Sequence, residues 1–299
     1  MRLQDRRILL TGGNGFVGGR VGRALTAEGA AVVALVRRPG SSDTADERLT
    51  EVVGQLTDPD HVRRAIDGCT DVVHCAAAAG DDWDAVREVN RDGTRYVVEA
   101  AIDAGVRRLV HISTASVYDR GGEEVIDEDT PMVTGGDDPY AVTKAEAERE
   151  VAAGRERGLS ATVLRPPAVL GWGPTSTWGQ RVPERVARGE LPFTPHPDHT
   201  HAWVHVDDLA EAAVVALVDD RADGRTYNVV GGVGTWRGYL DAVLAIVGDA
   251  PDPFADGEPR PPWSGRYDAS RITEELGWTP SRSFDDGLRE TARHWTPTP

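Results

Sequence analysis

The sequence predicts a doubly wound α/β fold, a parallel sheet buried on both faces, joined to a smaller C-terminal lobe. Three observations predict it: short apolar runs recurring through the first half of the chain, longer amphipathic stretches between them, and a proline- and tryptophan-rich texture after Arg165. Continuous apolar strands separated by helices belong to parallel sheets covered on both sides, since neither face of such a strand meets water. The candidate strands are 8–10, 31–36, 52–53, 72–75, 109–112 and 161–164, and helical patterns fall near 16–28, 59–67, 83–104 and 140–157.

After Arg165, Pro166, Pro167, Pro174, Pro183, Pro192, Pro195 and Pro197 crowd a segment that also carries Trp172 and Trp178, which reads as loops around one short helix, 178–189. Trp203-Val204-His205-Val206-Asp207-Asp208-Leu209 reads as a strand running into an Asp-capped helix that ends near Val218. A strand at 226–230 precedes a helix at 235–247. A Pro- and Asp-rich loop, 251–262, and helices at 268–276 and 284–295 complete the chain.

With 299 residues, 39% of them hydrophobic, the chain is long enough for one large domain or two coupled ones around a sizeable core. A formal charge of −16 disfavours nucleic acid and anionic membranes as partners, because both are bound through Lys and Arg. Cys69 and Cys75 are the only cysteines, and Cys75, inside an apolar run, reads as a reduced core thiol. The opening Met1-Arg2-Leu3-Gln4-Asp5-Arg6-Arg7 lacks the apolar segment of a signal peptide, and no stretch reaches membrane-span length, so a cytoplasmic protein is expected. His196, His199, His201 and His205 lie close together, but nothing around them completes a coordination sphere, and no metal is expected.

Directly after the first strand stands Thr11-Gly12-Gly13-Asn14-Gly15-Phe16-Val17-Gly18, with glycines at 12, 15 and 18 before a helix begins. Glycine allows the tight turn and lets a pyrophosphate approach the free N–H groups of the helix N-terminus. Gly12, Asn14, Gly15, Phe16, Val17 and Gly18 are therefore candidate dinucleotide contacts. At the end of the second strand, where an acidic residue would bind the ribose 2′-hydroxyl of NAD, the chain reads Leu35-Val36-Arg37-Arg38. A guanidinium at Arg37 suits a 2′-phosphate, so NADP(H) is favoured and NAD(H) stays open.

The chain has one lysine, Lys144, and it follows Tyr140 by four residues. With six tyrosines in 299 residues, such a spacing arises by chance about 2% of the time, so it is read as functional. Positions i and i+4 share a helix face. A phenol needs a neighbouring ammonium to exchange protons near neutrality. Arginine fills every other basic position apart from the histidines, and its broad fork is a poor replacement for a compact ammonium.

In these motifs the chain resembles the extended branch of the short-chain dehydrogenase/reductase superfamily, the epimerases, dehydratases and reductases. The matching pieces are Thr11 to Gly18, Val73-His74-Cys75-Ala76-Ala77, Asn90 to Thr94, His111 to Tyr118, Tyr140 to Lys144, Leu164-Arg165-Pro166, Val204 to Leu209 and Leu276-Gly277-Trp278-Thr279-Pro280. The resemblance implies a Rossmann-like dinucleotide domain over 1–166 and a mainly substrate-binding lobe over 167–299, with 203–230 returning to the first domain. It implies catalysis by Thr114, Tyr140 and Lys144, with Ser116 as second choice for the hydroxyl. Leu56, Ala76, Ala77, Lys144 and Pro166 would border the cofactor, and Asn90 would either support the site or cap a helix. Trp172, Trp178 and His201 are candidate substrate contacts, and helices 83–104 and 140–157 a homodimer face.

Two departures bear on the substrate. Where nucleotide-sugar enzymes carry an arginine for the diphosphate stands His201, and Pro167 follows the Arg165-Pro166 pair where they often have Asn. Arg181, Arg185, Arg260 or Arg266 could supply an anion clamp instead. The acidic residue usual after the third strand is replaced by Gln55, with Asp58 nearby as a helix start or a substitute. The expected function is NADP(H)-preferring reduction of a ketone or oxidation of a secondary alcohol. The alternative is epimerisation or dehydration of a sugar nucleotide with tightly held NAD(H), and a remote one is a non-catalytic dinucleotide sensor.

Overall fold

The computed structural model describes residues 3–42, 44, 46–191, 196–252, 254 and 263–296. The apolar runs form the central sheet. In chain order the elements are β1 (Arg7–Thr11), α1 (Phe16–Ala27), β2 (Ala31–Val36), β3 (Leu49–Val53), α2 (Pro59–Ile66), β4 (Asp71–His74), α3 (Trp83–Arg87), α4 (Gly93–Asp103) and β5 (Arg108–Ile112). There follow β6 (Val125–Ile126), α5 (Pro139–Glu156), β7 (Ala161–Arg165), β8 (Ala168–Leu170), α6 (Val182–Ala187), β9 (Thr200–His205), α7 (Val206–Val218) and β10 (Thr226–Asn228). The last are β11 (Gly232–Thr235), α8 (Trp236–Val247), β12 (Arg266–Tyr267), α9 (Ser270–Leu276) and α10 (Phe284–His294).

Seven strands pair in the order β10-β7-β5-β4-β1-β2-β3, every pair parallel. The order reverses between β1 and β4, so the crossovers to either side leave a crevice beyond Thr11 and His74, which are register partners. Ligands of doubly wound sheets bind in that crevice. One face of the sheet is covered by Val21 and Leu25 of α1, the apolar face of α7, and Ile272 and Leu276 of α9. Val62 and Ile66 of α2, Val97, Val98 and Ala101 of α4, and Val151 of α5 cover the other. Burial on both faces is why these strands read as unbroken apolar runs.

A second core gathers Leu170, Val182, Val186, Trp203, Trp236, Tyr239, Leu240 and Leu288 around the small sheet β8-β9-β11. The stretch after residue 200 is thus split between the layers: β9 joins the small sheet, whereas α7 faces α1 and β10 pairs with β7. The Asp-capped start expected for α7 is corrected. His205 is the cap, its Nδ1 accepting the Asp207 N–H at 3.1 Å, and Asp207 and Asp208 lie in the first turn, where the helix dipole favours acids. The single helix expected over 83–104 is also divided. A π-helical turn, Glu88–Asp92, separates α3 from α4 and turns Asn90 inward to 1% exposure. The loop expected at 251–262 lies largely outside the described residues. None of the described helices is long and apolar enough to cross a membrane.

Behind the ends of β5 and β7, Arg165 and Glu148 form an ion pair at 2.7 Å, both side chains buried, with Ser113 Oγ also donating to Glu148. The Arg165 guanidinium lies 4.7 Å over the Tyr118 ring. Removing one partner of such a pair leaves a buried charge uncompensated, so Glu148→Ala should lower the unfolding free energy by about 3–5 kcal/mol in urea denaturation. A loss below about 1 kcal/mol would match an exposed pair instead.

Candidate functional site

The turn after β1 is shaped by what cannot fit. Gly12 has φ +73°, and a Cβ there would lie 2.7 Å from Ala76 N; a Cβ on Gly18 would lie 2.1 Å from the Gly12 carbonyl oxygen. The ends of β1 and β4 therefore meet backbone to backbone, and α1 starts directly from the turn. α1 has no side-chain cap at Gly15 and no acid in its first turn. The amides of Phe16, Val17 and Gly18 have no carbonyl one turn back within the helix. A cradle closed to side chains and lined by amides fits the pyrophosphate of a dinucleotide.

His74 braces this crevice. The Thr94 hydroxyl donates to the Asn90 carbonyl, so it accepts from His74 Nε2–H at 3.0 Å, which leaves Nδ1 to accept from the Thr11 hydroxyl at 2.6 Å. Thr11 Oγ1 in turn accepts the Ala76 N–H at 3.2 Å. Burial, with Lys144 as the lesser cause, pushes His74 down to about 3, so it stays neutral in this role. Asn90 fixes the next stretch of backbone, bonding both N–H and C=O of Ala78 and reaching Thr143 of α5 at 2.9 Å.

Ala76 is half-buried and Ala77 exposed beyond β4. Arg37 and Arg38 stand exposed at the end of β2 and make no ion pair among the described residues. Leu56 lies half-buried after β3, against Gly93. Asp58 is the cap of α2, accepting from the amides of Asp60 and His61, and Gln55 is exposed. Cys75, expected as a reduced core thiol, is a free thiol partly buried against the main core just beyond the end of β4.

Tyr140 enters in the first turn of α5, with Asp138 capping its amide at 2.9 Å and Pro139 setting the helix start. Its phenol lies near the hydroxyl of Thr114, the residue that caps a short 3₁₀ turn after β5. Thr114 Oγ1 donates to Ser116 Oγ at 3.2 Å, and Ser116 is exposed. Pro166 is buried, its carbonyl accepting the Ala115 N–H at 2.8 Å. Burial pushes the phenol up to about 12, with the Thr114 hydroxyl acting in the opposite sense.

Lys144 is 1% exposed. Its Nζ donates to the Ile112 carbonyl at 2.8 Å and lies 3.2 Å from His111 Nε2. Burial lowers it to about 8, while Glu148 and Cys75 act in the opposite sense. The expected effect of the ammonium on the phenol is thus corrected for the free protein. Lys144 is engaged by β5, and desolvation governs Tyr140.

The structure brings Thr114, Ser116 and Tyr140 together, with Lys144 behind them. The other substrate candidates sit elsewhere. His201 on β9 is 4% exposed and ringed by Trp178, Trp236 and Tyr239 at centroid distances of 5.0, 5.0 and 4.6 Å. Burial pushes it down to about 3, so it is a neutral core residue and its Nε2 has no partner among the described residues. Trp172 stacks on His294 of α10 at 5.4 Å. Arg181 and Arg185 are exposed, Arg266 lies 3.9 Å from Asp268, and Arg260 is outside the described residues. His205, Asp207 and Glu290 could together ligate a metal, but Arg20 pairs with Asp207 at 2.9 Å and Glu290 at 2.7 Å. Sequence reasoning did not single out His111 and Glu148 as supports of Lys144. His111 was readable only as one more polar residue in an apolar strand.

Residues 8–230 match the model of the NAD dependent epimerase/dehydratase family. The chain is similar to the 2-alkyl-3-oxoalkanoate reductase of Stenotrophomonas maltophilia, 32% identical over 81% of this chain and 76% of that protein. It is also similar to the dTDP-glucose 4,6-dehydratase of Streptomyces niveus, 31% identical over 95% of this chain and 91% of the relative. Among solved structures, the UDP-glucose 4-epimerase of Thermus thermophilus in complex with NAD is 30% identical, with a TM-score of 0.76 over 96% of this chain and 98% of that one.

Proposed function

Because the chain belongs to the NAD dependent epimerase/dehydratase family, we propose that it moves a hydride reversibly between a carbinol carbon of a sugar-derived substrate and an NAD(H) that stays bound through the cycle. The observation that carries this reading is the Thr114–Tyr140 hydroxyl pair at the carboxyl end of β5, with the Lys144 ammonium buried beneath it. The dinucleotide, when bound, supplies the hydride acceptor and donor. The amides of the Gly12–Gly18 turn would hold its pyrophosphate, with Asn14 and Val17 in the same turn. Leu56 and Arg37 would border the adenosine end, and Ala76, Ala77 and Pro166 the path to the nicotinamide. Residues 1–166 together with α7 and β10 would form the dinucleotide-binding part, and most of 167–299 the substrate part.

Tyr140 exchanges its proton with the substrate oxygen, Thr114 donates a hydrogen bond to that oxygen, and Lys144 offsets the charge that develops on the phenolate. Dehydration would also need an acid and a base for the neighbouring carbon. The turn after Thr114 supplies Ala115 and Ser116 and no carboxylate, which favours epimerisation over dehydration. Two of the three relatives described above act, by their names, on nucleotide sugars, which supports a sugar-derived substrate.

A second reading, NADPH-consuming reduction of a ketone, is favoured by two observations. Arg37 makes no ion pair among the described residues at the end of β2, and the neutral, enclosed His201 stands where a diphosphate-binding cation is expected.

Tyr140→Phe should cut turnover by about 100-fold or more while dinucleotide binding persists; full activity in that variant would refute the mechanism. With Lys144 at about 8 and Tyr140 at about 12, both carry their protons at neutral pH. In the carbonyl-reducing direction kcat/KM should therefore fall as pH rises through about 8, when the ammonium is lost, and Lys144→Met should abolish that limb together with most of the activity. A flat profile through this range would exclude a charge requirement at Lys144. Dinucleotide released only on denaturation supports the first reading, and steady NADPH oxidation with a ketone the second. In the second case Arg37→Ala should weaken NADPH far more than NADH, and equal weakening would remove the role of Arg37.

A further inference from the structure

A loop from the C-terminal part of the chain reaches the first turn of α1. Residues 171–176 follow β8, and Glu290 of α10 accepts both the Trp172 N–H at 3.0 Å and Arg20 of α1 at 2.7 Å. Arg20 also donates to the Trp172 carbonyl at 3.2 Å, so α1 and α10 grip the same peptide. Gly173 lies flat on the Phe16 ring, where a Cβ would come within 2.5 Å of Cδ2. Seated in this way, the loop places Thr175 Oγ1 2.8 Å from the Phe16 N–H, which donates to it. That amide belongs to the cradle that fits the pyrophosphate.

We propose that Thr175 is a dinucleotide-binding residue whose hydroxyl, accepting the Phe16 N–H, donates a hydrogen bond to a pyrophosphate oxygen. The inference rests on the dinucleotide reading of the glycine turn and deepens it by adding a contact from outside the N-terminal part. A hydroxyl that accepts one hydrogen bond keeps one proton to donate, and accepting polarises it. Among the described residues no protein group takes that proton. Thr175 is exposed, so an anion resting on the α1 turn can reach it. A hydrogen bond to an anionic oxygen is stronger than one between neutral groups. The anchor through Glu290 and Arg20 holds the donor in place before the ligand arrives, which limits the entropy lost on binding.

The test compares the wild-type chain with Thr175→Val and Thr175→Ser, each exchanged free of copurified dinucleotide and titrated calorimetrically with NAD+, NADP+ and adenosine. Thr175→Val keeps the shape of the side chain and removes the hydroxyl. It should raise Kd for the better-bound dinucleotide about tenfold. Thr175→Ser should bind as wild type does, and adenosine affinity should be the same in all three. An unchanged Kd in Thr175→Val overturns the proposal. Tighter binding also overturns it, because the hydroxyl would then compete with the phosphate for the Phe16 N–H. A wild-type chain that binds neither dinucleotide overturns the dinucleotide reading as well. Binding that is indifferent to Thr175 removes only this residue.

Discussion

An ammonium held in the interior is the constraint on which the rest of the site depends. Lys144 has almost no contact with water, and a buried charge persists only where hydrogen-bond acceptors and opposite charge meet it. The Ile112 carbonyl and His111 Nε2 supply the acceptors, which requires β5 to run beneath α5 at this height. Glu148, one helical turn further along α5, supplies opposite charge and is itself tied to Arg165 of β7 and to Ser113. The same carboxylate thus steadies Lys144 from one side and the peptide next to Thr114 from the other. A guanidinium in place of Lys144 would need space for a planar fork between β5 and α5, where the acceptors suit a compact tetrahedral group.

The cofactor end obeys a different constraint, one of volume. Gly12 admits the Ala76 backbone, and Gly18 admits the Gly12 carbonyl, because neither carries a side chain. Those close approaches would separate if β1 and β4 drifted apart, and His74 prevents this by joining Thr11 to Thr94 in a buried chain of hydrogen bonds. The His74 and His111 rings lie 5.1 Å apart on neighbouring strands, so the brace of the phosphate turn and the acceptor for Lys144 are adjacent. The glycine turn and the groups around Lys144 therefore share one piece of sheet, β1-β4-β5, and their spacing is set by strand register.

Much of this was legible in the sequence, for identifiable reasons. Strands buried on both faces show as unbroken apolar runs, glycines mark the close approaches at 12 and 18, and a lone lysine after a tyrosine marks a shared helix face. β3 was found only in part, because it lies at the sheet edge and carries the polar residues Thr50 and Glu51. β6, β8, β11 and β12 have two to four residues each and show no period. The π-helical turn at Glu88–Asp92 breaks the 3.6-residue pattern with no glycine or proline inside it. Trp178 and His201 could not be placed, since an aromatic residue looks the same in a sequence whether it lines a cleft or fills a core. The structure packs them against Trp236 and Tyr239 from a helix 30 residues or more away in sequence.

That packing narrows how a substrate is recognised. With His201 enclosed and neutral above about pH 3, the small sheet offers no fixed cation on β9 to a diphosphate. The chain's net charge of −16 sets a field that opposes the approach of anions. A substrate bearing phosphates must then find local counter-charge, and the exposed guanidinia of Arg181 and Arg185, beside and on α6, stand on the same lobe. A neutral substrate needs none of this. On the proposed reading, hydrogen bonds from Thr114 and the exposed Ser116 would orient a carbinol group beside Tyr140. On the proposed reading, discrimination between the two substrate classes would fall to the exposed surface around α6, whereas the chemistry at the carbinol carbon would be common to both and belong to β5 and α5.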